Sequence, residues 1–295
     1  MAAAVFGLLV VGLIYFNAQS LLLSIVVSIS SIAHSTHSQT DSYLDVLLQN
    51  VMNHRKAVQA VIVVTQFLFM LVPTVVLVKR WHTREVREYL MLKRADAGAI
   101  VLGVVITLMI IPSSVYIANA FTSFLHIPRR LLEVNEAMFR ADSLPEFAWM
   151  VGVVAVTPAI CEELFFRGYV QRTMERSIGS TSVIIIGVLF GLYHLQPLGL
   201  ISLSILGLVF GYLFYRSKSL FPSMAAHFTN NFVIVLIAYV KSPVAVLDFR
   251  TARQMPLVLV VPTLCFGGVA LYAFHVITQK NFPAVNAGAG SKEET

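Results

Sequence analysis

The sequence predicts an all-α protein: a polytopic bundle of about eight transmembrane helices, filling residues 1–280 as one domain around an intramembrane polar cavity. Three observations predict it. The 295 residues are 57% hydrophobic and only 12% charged, with a mean hydropathy of +0.79. A soluble domain carries about 25% charged residues, so half the expected charge is missing. The apolar residues also gather into runs near the 20 residues that cross about 30 Å of hydrocarbon. Between those runs the polar segments are short, which leaves no room for a solvated domain.

The spans read in order as residues 5–33, 57–78, 99–125, 147–176, 181–195, 198–215, 220–240 and 256–278. The first, within "MAAAVFGLLVVGLIYFNAQSLLLSIVVSISSIA", lacks a basic leader and exceeds a signal-peptide core, so it reads as an uncleaved span. The fifth is short and ends at "LQPLG", where Gln196, Pro197 and Gly199 signal a tight turn into the sixth. The last turns of the fourth, "QRTMER", leave the membrane for polar surroundings. "RRLLEVNEAMFRAD", residues 129–142, alternates apolar and charged positions at helical spacing. It suits a surface-lying helix or a solvated connector equally. The tail from residue 281, with "NAGAGSKEET", reads as disordered.

Charge orients the bundle. The segment after the second span holds Lys79, Arg80, Arg84, Arg87, Lys93 and Arg94, the strongest cytoplasmic mark in the chain. With eight crossings, Arg172, Arg176, Arg216 and Lys218 fall on the same side, and both termini are cytoplasmic. The net charge of +6 is accounted for by such loops, so no nucleic-acid partner is expected. Cys161 and Cys265 lie in apolar stretches without CxxC spacing, and Cys161 reads as a small buried hydrophobe.

The chemistry-bearing residues are the few polar ones at membrane depth. In "CEELFFRGYV", Glu163 and Arg167 are spaced i, i+4 and share a helix face, so they can pair. Glu162 is turned about 100° away and lacks that partner. "LFGLYHLQP" brings His194, and "AAHFTNNF" brings His227 and Asn231, again i, i+4. Lipid supplies no hydrogen bonds, so a bundle that turns Glu162, His194, His227 and Asn231 inward satisfies them together. Singly, each has a plain structural reading as a helix fastener or interhelical glue; co-occurrence on three separate helices raises the set above that. Such a set suits amide hydrolysis. Glu162 with His194 holds and deprotonates a water, while His227 and Asn231 stabilise the oxyanion. A zinc version, with Glu162, His194 and His227 as ligands and water in the fourth position, stays open, although no cofactor is favoured.

"EELFFR" fits EExxxR, "FGLYH" fits FxxxH and "HFTNN" fits HxxxN. In that order on successive apolar helices they resemble the type II CAAX prenyl endopeptidase family and its prokaryotic relatives (CPBP, formerly Abi), over about residues 147–240. The resemblance implies an eight-helix intramembrane peptidase, with Glu162 and His194 activating water and His227 and Asn231 forming the oxyanion site. It also implies that Glu163 and Arg167 support the motif. The expected partners are the bilayer and a membrane or lipidated peptide substrate, in a prokaryotic plasma membrane. Two competitors come from other classes. One is a non-catalytic partner, such as an immunity factor, scaffold or chaperone. The other is a proton-coupled transporter, which predicts an inverted repeat that the sequence lacks.

Overall fold

A computed structural model describes residues 1–33, 49, 51–124, 138–195, 199–240 and 256–282. Eight long or apolar helices organise the described residues: α1 Ala2–Ala33, α2 Arg55–Trp81, α3 Ala97–Phe124, α4 Leu144–Ile178, α5 Thr181–Tyr193, α6 Leu200–Ser217, α7 Phe221–Val240 and α8 Leu257–Ile277. Among the described residues there is no strand. The expected surface helix at 129–142 and the expected turn at Gln196, Pro197 and Gly199 fall mostly outside the described residues, as does the tail beyond residue 282.

Seven of the eight are long and apolar enough to cross a membrane, and the exception is α5. Its 13 residues rise only about 20 Å, short of the roughly 30 Å of hydrocarbon. The fifth span is therefore not a full crossing but the outgoing arm of a hairpin with α6, against which it packs closely. Because the hairpin returns to the end where it began, shortening one arm does not alter which end any other helix reaches. One end of the bundle gathers Met1, whose amino group donates to Ser177 Oγ at the end of α4 (3.3 Å). At the same end Arg216 Nη2 donates to the His275 carbonyl of α8 (2.7 Å), Lys218 pairs with Glu175, and Ser219 Oγ donates to the Lys93 carbonyl (2.7 Å). The first residue and the end of α8 thus lie beside the basic 79–94 segment.

The α5–α6 hairpin is held by backbone contact. A Cβ on Gly207 would lie 2.5 Å from the Gly187 carbonyl oxygen, and one on Gly191 would lie 2.7 Å from that of Leu200. Small residues are the general device for close helix approach in a medium without a hydrophobic drive. The tight hairpin sets Phe190, near the end of α5, against Phe166 and Arg167 of α4. The main core lies there, with Phe165, Phe166, Tyr169, Phe190 and Phe214 buried together.

Candidate functional site

α4 leaves α-helical spacing twice, on either side of Thr157–Glu163. Residues Val151–Val156 and Leu164–Gln171 form wide π turns, closed by i→i−5 bonds from Thr157 N–H to the Gly152 carbonyl and from Arg172 N–H to that of Arg167. α2 does the same over Gln66–Leu71, where Val72 N–H bonds the Phe67 carbonyl. In two of these three places a proline stands two residues after the turn, Pro73 and Pro158. Proline has no N–H and its ring crowds the carbonyl four residues back, which favours a widened turn. Pro158 therefore cannot serve the Val154 carbonyl, and Asn231 Nδ2 of α7 donates to that carbonyl at 2.8 Å. Single π turns recur at functional sites.

Between the wide turns, Glu163 faces inward and is fully buried with Arg167. Arg167 Nη1 lies 2.7 Å from Glu163 Oε1, as the i, i+4 spacing predicts. Arg167 Nη2 donates to the Gly207 carbonyl (3.0 Å), and its guanidinium lies over the Phe190 ring (4.4 Å to the centroid). The structure adds a partner that the spacing did not reveal: His227 Nδ1 sits 2.9 Å from the same Glu163 Oε1. The His227 ring stacks on Phe210 with centroids 5.1 Å apart. A carboxylate paired with arginine accepts, so His227 Nδ1 carries the proton and Nε2 is turned to the interior.

Glu162 sits 8% exposed on the neighbouring face. Its Oε1 accepts from Gln66 Nε2 of α2 at 3.1 Å. Its Oε2 is buried and takes no hydrogen bond from the protein. That oxygen lies 3.8 Å from His194 Nε2 and 4.0 Å from His227 Nε2. His194 Nδ1 is 2.7 Å from the Phe190 carbonyl, which can only accept, so in the neutral ring Nε2 presents a lone pair. The structure thus brings Glu162, His194 and His227 together, with Glu163 and Arg167 behind them. Asn231 makes its contacts one turn further along α7, donating to Val154 and accepting from Asn230 Nδ2 at 2.9 Å. One amide N–H of Asn231 is left over.

Bonds of about 2.0–2.2 Å place tetrahedral ligand atoms about 3.3–3.6 Å apart. The 3.8 and 4.0 Å separations exceed that, and among the described residues no group of three His, Cys, Asp or Glu is placed to hold a metal ion. The set as folded does not fit a tetrahedral cation. It does fit one water, since a molecule about 2.8 Å from each of two atoms 3.8 Å apart makes ordinary hydrogen bonds.

A multi-pass helical membrane protein with paired glutamates and two histidines in its interior is the class that fold and site define. Residues 144–233 match the family of Type II CAAX prenyl endopeptidase Rce1-like proteins. The matched segment starts with α4 and ends two residues after Asn231, so it contains all three motifs. No curated protein and no solved structure matches the chain. Gln66 lies outside that segment and was missed by sequence reasoning. Its signal was faint: a glutamine within an apolar span, seven residues before a proline.

Proposed function

We propose that this protein is an intramembrane endopeptidase of the CAAX prenyl protease type, hydrolysing a peptide bond in a hydrophobic or lipidated tail. Glu162 Oε2 and His194 Nε2 each accept a hydrogen from one water, which turns the oxygen lone pair toward the substrate carbonyl. As the O–C bond forms, one proton passes to this pair. When the C–N bond breaks, that proton goes to the leaving nitrogen, and the product acid and amine are complete. His227, its Nδ1–H held by Glu163, turns Nε2 toward the oxyanion and, carrying a proton there, donates to it. The free N–H of Asn231 is the second donor. The single observation that carries the reading is the Glu162 Oε2 atom, buried and unbonded, with both imidazole Nε2 atoms within 4.0 Å. The basic end of the bundle is cytoplasmic by the positive-inside rule, so both ends of the described chain face the cytoplasm, here of a prokaryotic plasma membrane.

The test is cleavage of prenylated and unprenylated tail peptides by purified protein in liposomes, with and without chelator. Glu162→Gln lowers kcat by roughly 10²–10⁴-fold. Undiminished cleavage by that variant overturns the general-base assignment, and chelator loss restored by zinc overturns the metal-free chemistry.

A further inference from the structure

Glu162 is one of two neighbouring glutamates, and the chemistry needs one of its two oxygens in a fixed place. A carboxylate rotates easily, because the terminal sp³–sp² torsion of glutamate is broad and roughly two-fold. Glu163 is fixed by Arg167 and His227. For Glu162 the fixing group comes from a different helix: Gln66, 4% exposed, whose Nε2 donates 3.1 Å to Glu162 Oε1. Because the carboxylate only accepts, the amide orientation is settled, with Nε2 toward Glu162. The Gln66 oxygen is buried and takes no hydrogen bond from the protein, while its amide group also lies beside the Tyr15 hydroxyl of α1. At this depth no lipid group competes for the bond.

The backbone of α2 is shaped for the contact. Gln66 opens the π turn, which ends at Leu71 just before Val72 and Pro73. This stretch packs against Thr157–Glu163 of α4. Another buried glutamine of the same helix, Gln59, has unrelated partners, donating to the Met138 carbonyl (3.0 Å) and accepting from Trp149 Nε1 (2.9 Å).

We propose that Gln66 is a positioning residue. By occupying Glu162 Oε1 it directs Oε2 at the point shared by His194 Nε2 and His227 Nε2. The proposal rests on the reading of Glu162 as the water-holding carboxylate, and it extends the site to a helix outside the matched segment.

The full-length protein in liposomes is tested in two ways. Infrared difference spectra of wild type against Glu162→Gln isolate the carboxyl band of Glu162. Gln66→Met, which keeps the length and removes the donor, shifts that band, whereas Gln59→Met leaves it in place. On a cleaved tail peptide, Gln66→Met lowers kcat roughly ten- to hundredfold with KM within about twofold, the effect of a small misplacement. Gln59→Met lowers stability without that split. Gln66→Asn, one methylene short, repeats both readouts should the methionine variant fail to fold. A Glu162 band unmoved by either Gln66 variant overturns the proposal, as does a kcat loss no larger than that of Gln59→Met. The band decides it even if no peptide is cleaved; absent cleavage by wild type counts against the peptidase reading alone.

Discussion

His227 Nδ1 and Arg167 Nη1 converge on one oxygen of Glu163, at 2.9 and 2.7 Å, and all three side chains are buried. A single carboxylate thus fastens α4 internally and ties it to α7. That links two roles the sequence motif keeps apart: the ion pair behind the site and the tautomer of the histidine inside it. Removing one partner of a buried pair leaves an uncompensated charge and costs about 3–5 kcal/mol. Arg167→Met is therefore expected to lower the Tm in detergent sharply. Arg167→Lys is expected to rescue little, since it cannot reach both Glu163 and the Gly207 carbonyl or lie flat on Phe190. A lysine variant with wild-type Tm would show that charge alone suffices.

Gly207 is expected to tolerate no side chain. An added Cβ would lie 2.5 Å from the Gly187 carbonyl oxygen, a backbone atom that cannot swing aside. Gly207→Ala forces α5 and α6 apart, which costs about 1–3 kcal/mol. The same carbonyl of Gly207 holds Arg167, so the strain reaches the site. Thermal unfolding together with peptide cleavage checks this; loss of neither would mean that the hairpin packs less closely than described.

Outside the bilayer, Asp96 and Lys280 join the start of α3 to the segment after α8, at 2.8 Å. The Lys280 hydrogen bond, then the Gly98 N–H (2.9 Å), hold the Asp96 carboxyl below its usual range. A depressed pKa stabilises the fold fully above the unfolded value of about 3.9, and the contribution is lost as pH falls through the folded one. The Tm advantage of wild type over Asp96→Asn is thus expected to be constant from neutral pH down to about pH 4 and to shrink below it. Added salt reduces it throughout, because the pair is exposed. A difference undiminished at acid pH would assign it to something other than this carboxylate.

Seven of the helices were legible because each is a run of apolar residues long enough to cross a membrane; α4, expected over 147–176, runs from Leu144 to Ile178. The pairing of Glu163 with Arg167 was legible from spacing alone, and the grouping of Glu162, His194 and His227 from the scarcity of ionisable groups. What spacing cannot carry is contact between helices. The His227–Glu163 bond and the Gln66–Glu162 bond join positions 64 and 96 residues apart. The fifth span, short over 181–195 by sequence, is the helix Thr181–Tyr193, two residues shorter. Hydropathy does not say where an apolar run stops being helical, and the 13-residue arm shows only once it is folded against α6.

Pro158 and Asn231 supply the last prediction. Because Pro158 has no N–H, the Val154 carbonyl is left without its usual intrahelical donor, and Asn231 Nδ2 takes that place at 2.8 Å. Pro158→Ala restores a backbone donor to the same carbonyl and frees the Asn231 amide to turn. Such a substitution in a helix interior ordinarily favours the helix, so stability is expected to hold or rise. Activity is expected to fall nonetheless, because an oxyanion donor acts only when it is held in place before charge develops. Asn231→Ala, which removes the donor itself, sets the scale at about 10²–10³-fold in kcat. Pro158→Ala should lose part of that, with KM little changed. Adding Pro158→Ala to Asn231→Ala should then cost nothing more, as two changes acting through one group are not additive. Full additivity in that double-variant cycle would separate the proline from the asparagine and leave the wide turn before Glu162 with a purely structural part.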